Sequence, residues 1–116
     1  MNTITEFDAY QKLAMRTSKD FGDKQKQLEY AIISLCGEAG EMANLLKKKV
    51  YHNKADITDA NFIDEASDVL WYLACVADSL GISLSDIATY NIAKLEKRYQ
   101  KLSYDEGHYK PENSSQ

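Results

Sequence analysis

The sequence predicts an all-α fold, and three observations carry that prediction. Apolar residues recur at helical spacing through nearly the whole chain, alternating β-branched runs are scarce, and the single proline, Pro111, stands near the end. With 116 residues and 44% apolar content, the chain has material for one domain with a modest core. We read four main helices in an antiparallel, bundle-like domain over residues 1–104, followed by a polar, flexible tail over 105–116.

The first helix is expected from about Glu6 to Thr17, with Thr5 and Asp8 at capping-box spacing and Phe7, Tyr10, Leu13 and Ala14 as its apolar stripe. Residues 18–24 read as a loop. The second helix is expected from about Gln25 to Lys49, its stripe running through Leu28, Ile32, Leu35, Ala39, Met42 and Leu46. Lys47, Lys48 and Lys49 suit the negative end of its dipole. Thr58 is placed to cap the third helix, which is expected to stop at Gly81. Val69, Leu73, Val76 and Leu80 mark its core face. Its stretch from Val69 to Ala77 is apolar around most of its circumference, more than one small bundle readily covers, which predicts self-association near this helix. Ser83 opens the fourth helix, expected to reach about Leu102, with Leu84, Ile87, Leu95 and Leu102 facing inward.

Composition excludes several classes. A net charge of −4 argues against a general surface for nucleic acid polymers, and no apolar run is long enough to span a membrane. The start of the chain lacks a basic region followed by an apolar stretch. Cys36 and Cys75 fall in helical segments outside any Cys-x-x-Cys pair and read as small buried hydrophobes. These features together predict a cytoplasmic protein.

Chemistry concentrates in two short acidic pairs, Glu38-Ala39-Gly40-Glu41 and Glu65-Ala66-Ser67-Asp68. The i, i+3 spacing puts both carboxylates of a pair on one helix face. Glu38 falls about 60° from the centre of the apolar arc of its helix, and Glu65 about 40° from Val69. A carboxylate beside core positions is costly unless compensated. If the two helices run antiparallel, the four acids converge, and a divalent cation resolves their repulsion. An all-oxygen set suits Mg²⁺, with Mn²⁺ as a substitute, and points to phosphate chemistry. Neither pair has the Glu-x-x-His form of di-iron bundles, no Cys/His cluster suits zinc, and no Gly-rich phosphate loop is present. A structural polar network is the alternative. Asn91, in the middle of the inward arc of the fourth helix, reads as a polar group turned toward the same interior as the acids or as a satisfied core amide. Lys94 and Arg98 read as phosphate contacts or as ion-pair partners of the acids, and Tyr72 as a ligand contact or a core aromatic. Trp71 reads as a packing or interface residue on the far side of its helix.

The ordered blocks Leu35-Cys36-Gly37-Glu38-Ala39-Gly40-Glu41, Asp64-Glu65-Ala66-Ser67-Asp68-Val69-Leu70-Trp71-Tyr72-Leu73 and Asn91-Ile92-Ala93-Lys94-Leu95-Glu96-Lys97-Arg98-Tyr99 resemble those of the MazG-like, all-α nucleoside triphosphate pyrophosphohydrolases. The opening, Phe7-Asp8-Ala9-Tyr10-Gln11 with Arg16-Thr17, is similar to that of short single-domain members, so the resemblance covers about residues 5–102. It implies a Mg²⁺-dependent hydrolase that converts a (deoxy)nucleoside triphosphate to the monophosphate and pyrophosphate. It also implies metal-ligand and catalytic roles for Glu38, Glu41, Glu65 and Asp68, and substrate contacts from Tyr72, Asn91, Lys94 and Arg98. Glu41 would serve as general base. The resemblance further implies a homo-oligomer, dimer or tetramer. Some members stack the base on a tryptophan near the end of helix two, where this chain has Leu46-Lys47-Lys48-Lys49, so base preference stays open. Phosphoribosyl-ATP or an alarmone as substrate, and a non-catalytic helical interaction module, are the competing readings.

Overall fold

The computed structural model describes residues 3–99. Four α-helices, and no strand among the described residues, follow in the order α1 (Phe7–Met15), α2 (Lys24–Tyr51), α3 (Asp59–Ser79) and α4 (Leu84–Arg98). The chain is all-α. It divides into two compact units after Leu84, the first holding α1 to α3 and the second α4. The expected end of the fourth helix at Leu102 and the tail over 105–116 lie outside the described residues.

Local chemistry sets the helix ends. α1 starts at Phe7 with Glu6 as its N-cap, and Thr5 does not cap it as expected. It ends early because Arg16, Thr17 and Ser18 each donate to the carbonyl three residues back, which tightens the last turn. Asp23 caps α2 by accepting from the Gln25 backbone N–H at 2.8 Å. α2 runs to Tyr51, two residues beyond the expected end, and Asn53 at φ 53° turns the chain away. At the start of α3 the Thr58 backbone N–H donates to Asn61 Oδ1 at 2.8 Å, the return arm of a capping box built with an amide. α3 closes in a Schellman motif: Ile82 N–H donates to Ala77 O at 3.0 Å and Gly81 N–H to Asp78 O at 3.1 Å. Gly81 takes φ 70°, which explains why glycine stands there.

α2 and α3 are antiparallel. Lys49 of α2 lies over the Phe62 ring at 5.7 Å, near the start of α3, while Gln27, near the start of α2, reaches Asp78 at its end. At their seam Ala31 of α2 is fully buried, as is Cys75 of α3, which Gln27 contacts; Ala74 and Ala77, also fully buried, lie on other faces of α3. This corrects the expected core. Leu73 and Leu80 are 37% and 53% exposed, and Ile32 and Leu46 also lie outside. The buried face of α2 is centred on Gln27 and Ala31, about 60° from the arc expected around Leu35. The one buried amide on it is satisfied, since Gln27 Nε2 donates to Asp78 Oδ2 at 2.9 Å and contacts Cys75 Sγ at 3.6 Å.

α1 is fastened by side chains rather than by the stripe expected, in which Phe7 and Leu13 are exposed and Ala14 is buried. Trp71 Nε1 donates to Ala14 O at 3.2 Å and to Thr17 Oγ1 at 3.0 Å. Gln11 clamps the turn after α3 from both sides, donating to Ile82 O at 3.1 Å and accepting from Leu84 N at 2.7 Å. Cys75 is buried as expected, whereas Cys36 is exposed. In α4, Leu84 is buried and Ile87 and Leu95 are half-buried, but Asn91 is exposed, contrary to the inward position expected for it.

Because Gly81 holds a left-handed conformation that a Cβ disfavours, Gly81→Ala is expected to destabilise the fold by about 1–2 kcal/mol. Its check is a denaturant titration, with a lowered midpoint at unchanged slope.

Candidate functional site

The inward strip of α2 continues from Gln27 and Ala31 through Ser34 to Glu38, and that of α3 runs through Glu65, Val69 and Tyr72. The seam therefore delivers the two acidic pairs to the same level. Glu38, Glu65 and Asp68 each present a carboxylate oxygen, and these oxygens all lie within 4.8 Å of one another. Glu38 and Glu65 are half-buried and Asp68 is exposed, so the cluster opens to solvent on the Asp68 side. Glu41, one helical turn beyond Glu38, is exposed and stands outside this set of three. Its charge nonetheless reaches Glu65.

The electrostatics follow from the geometry. Glu65 is held above the ordinary carboxylate range, first by its partial burial and then by the charges of Glu38, Asp64, Asp68 and Glu41. Three oxygens at this spacing, with mutual repulsion concentrated on one of them, fit a hard divalent cation with oxygen ligands. A cleft of about 330 Å³ opens beside them, lined by Glu38, Asp68, Trp71 and Tyr72. Tyr72 is thus brought to the acids. Its phenol is pushed up by a hydrogen bond with Tyr30, by burial and by the neighbouring Glu38, against a lowering contact from Ser34. Tyr10 of α1 is also raised, by burial and by the charge of Asp68.

The sequence reading missed Trp71 as a cleft residue. It stands between α1 and the acids, and its place directly before Tyr72 and three after Asp68 is the signal that could have found it. It missed Tyr30 and Ser34 too, although their i, i+4, i+8 spacing with Glu38 was legible. Asn91, Lys94 and Arg98 stand on α4, in the second unit, with the Lys94 ammonium 5.9 Å from the Tyr90 ring.

The raised proton affinity of Glu65 has a consequence for stability. The folded state binds this proton more tightly than the unfolded chain, so its contribution is fully present below the ordinary carboxylate range and is lost as pH rises through the folded value. Without divalent cations at neutral pH, Glu65→Gln is expected to raise the melting temperature, with the gain vanishing at acid pH. Added Mg²⁺ is expected to stabilise the wild type more than the variant. Thermal melts against pH, with and without Mg²⁺, check both.

Residues 26–103 match the description of the MazG nucleotide pyrophosphohydrolase domain. Among curated proteins, the Gene 37 protein of Mycobacterium phage L5 is 39% identical over 79 residues, which span 66% of this chain and 69% of that protein. No solved structure matches the chain. The matched stretch contains both acidic pairs and the helices whose seam joins them, and on that match the chain belongs to the MazG nucleotide pyrophosphohydrolase family.

Proposed function

We propose that the protein is a Mg²⁺-dependent pyrophosphohydrolase that cleaves (deoxy)nucleoside triphosphates to the monophosphate and pyrophosphate, controlling nucleotide pools or removing unwanted nucleotides. The observation that carries this reading is the meeting of Glu38, Glu65 and Asp68 within 4.8 Å, in a chain of this family. These residues, with Glu41 at the rim, would hold Mg²⁺ or Mn²⁺. The chemistry such an ion supplies is neutralisation of phosphate charge and polarisation of the α-phosphorus. The chain's own groups do the rest. Glu41, exposed and one turn from the cluster, accepts the proton of the attacking water. Tyr72 borders the bound nucleotide. Asn91, Lys94 and Arg98 would contact phosphate and sugar, the two cations offsetting charge on the departing pyrophosphate.

Self-association belongs to the same proposal. Ile63, Leu70, Leu73 and Leu80 of α3 are all exposed and fall within an arc of about 100°. Exposed apolar residues gathered on one side of the chain in this way favour a second copy of it, as a dimer or tetramer. Among the described residues no single helix is long and apolar enough to cross a membrane, and a cytoplasmic location suits an enzyme acting on nucleotide pools.

Pyrophosphate release from a panel of NTPs and dNTPs, with phosphoribosyl-ATP and an alarmone included, tests the activity. Metal-dependent release by the wild type is expected, reduced about 10²- to 10³-fold in Glu38→Gln at an unchanged helical spectrum. Undiminished release in the variant would overturn the site. Light scattering after size exclusion is expected to give a mass above the 13.2 kDa of one chain, reduced by Leu73→Glu.

A further inference from the structure

Beside the cleft, an aromatic row leads away from the carboxylates. Tyr30, Ser34 and Glu38 share one face of α2, and the axial distance from Glu38 to Tyr30 is about 12 Å, two turns and a fraction. Tyr72 of α3 lies along this strip: its ring is 6.1 Å from Tyr30 and tilted to it. From the loop between α1 and α2, Phe21 packs 5.1 Å from Tyr30. The Lys19 ammonium stands 4.8 Å from the Tyr30 ring centre and 5.0 Å from that of Phe21. On the other side of Tyr72, Trp71 meets it edge-on at 5.0 Å. The result is a row of four aromatic rings running from the acidic cluster to a cation-bearing loop.

Packing alone does not account for the row. Tyr30 is 40% exposed despite contacts with two rings and an ammonium. An aromatic side chain placed only for core volume would be buried behind them. What the row offers instead is a partly exposed, π-rich surface two helical turns along α2 from Glu38.

We propose that Tyr30, supported by Phe21 and Lys19, is the nucleobase-stacking residue of the site, beside the cleft and next to Tyr72 in its lining. The inference rests on the hydrolase reading and deepens it. A nucleotide whose phosphates lie at Glu38, Glu65 and Asp68 extends along the α2 strip, with its sugar at the level of Ser34 and the Tyr72 phenol and its base against Tyr30. Stacking on an aromatic side chain is worth a factor of about 5 to 150 in affinity. It tolerates different bases, and the cation over the ring adds to it.

The test measures binding and turnover separately. Trp71, the single tryptophan, borders the cleft and reports binding by fluorescence. Nucleoside monophosphates are titrated in Mg²⁺ against wild type, Tyr30→Leu and Tyr30→Phe, with ribose 5-phosphate as the baseless control. Tyr30→Leu is expected to weaken the nucleotides about 5- to 150-fold while leaving ribose 5-phosphate unchanged, and Tyr30→Phe is expected to retain most of the affinity. Equal nucleotide affinity in wild type and Tyr30→Leu overturns the stacking role. So does an equal loss for ribose 5-phosphate, or a Tyr30→Phe defect as large as that of Tyr30→Leu. Base-dependent binding without pyrophosphate release by the wild type would overturn the hydrolase reading alone. Release with base-independent binding would overturn this proposal alone.

Discussion

The close antiparallel seam between α2 and α3 governs the rest of the first unit. Ala31 of α2 and Cys75 of α3 are fully buried there, side chains small enough to let two helix backbones approach. That approach fixes register as well as distance. With Gln27 bound to Asp78 near one end and Lys49 over Phe62 near the other, Glu38 is carried to the level of Glu65 and Asp68. A large aliphatic residue in the seam would force the helices apart, and the carboxylate oxygens with them.

The same closeness concentrates charge at the site, at a cost. Carboxylates on facing helices repel one another, and the repulsion gathers on Glu65, the one whose proton affinity is raised. In a buried core such a group would be neutralised or paired. Here Asp68 opens the cluster to solvent, and the cleft beside it admits a ligand that can bring the missing positive charge. The fold thus holds a locally unfavourable charge arrangement because the polar and apolar contacts elsewhere along the seam over-determine it. This is a common state of affairs where a binding site is built into a helical interface.

Much of this was legible in the chain. Helical periodicity separated four helices, and the paired Glu-x-x-Glu and Glu-x-x-Asp spacings predicted which carboxylates share a face. Of the four acids expected to converge, Glu38, Glu65 and Asp68 meet, while Glu41 stands outside the set, exposed, one turn beyond Glu38. What periodicity misjudged was the size of the buried residues. Hydrophobicity weights Leu73 and Leu80 above Ala74 and Ala77, yet close packing reverses the order, and the buried arc rotates accordingly. Caps show a similar limit. Thr58 was legible as a cap, but its partner is the amide of Asn61, while Asp23 was hidden in a stretch that reads as loop. The matching of a residue to its cap depends on backbone geometry that side-chain identity alone leaves open.

Trp71 shows how the smaller elements serve the site. A helix as short as α1 is marginal by itself and holds its place through contacts with the rest of the unit. Its firmest contact with α3 is the indole N–H of Trp71, which satisfies Ala14 O and Thr17 Oγ1 at the frayed end of α1. The same indole stands nearly perpendicular to the Tyr72 ring, 5.0 Å between centres, and lines the cleft. The residue that keeps α1 in place is therefore also a wall of the ligand site. A ligand that moves the indole must strain the end of α1, and loosening α1 must loosen the cleft. This reciprocity follows from shared contacts alone, without any separate conformational switch.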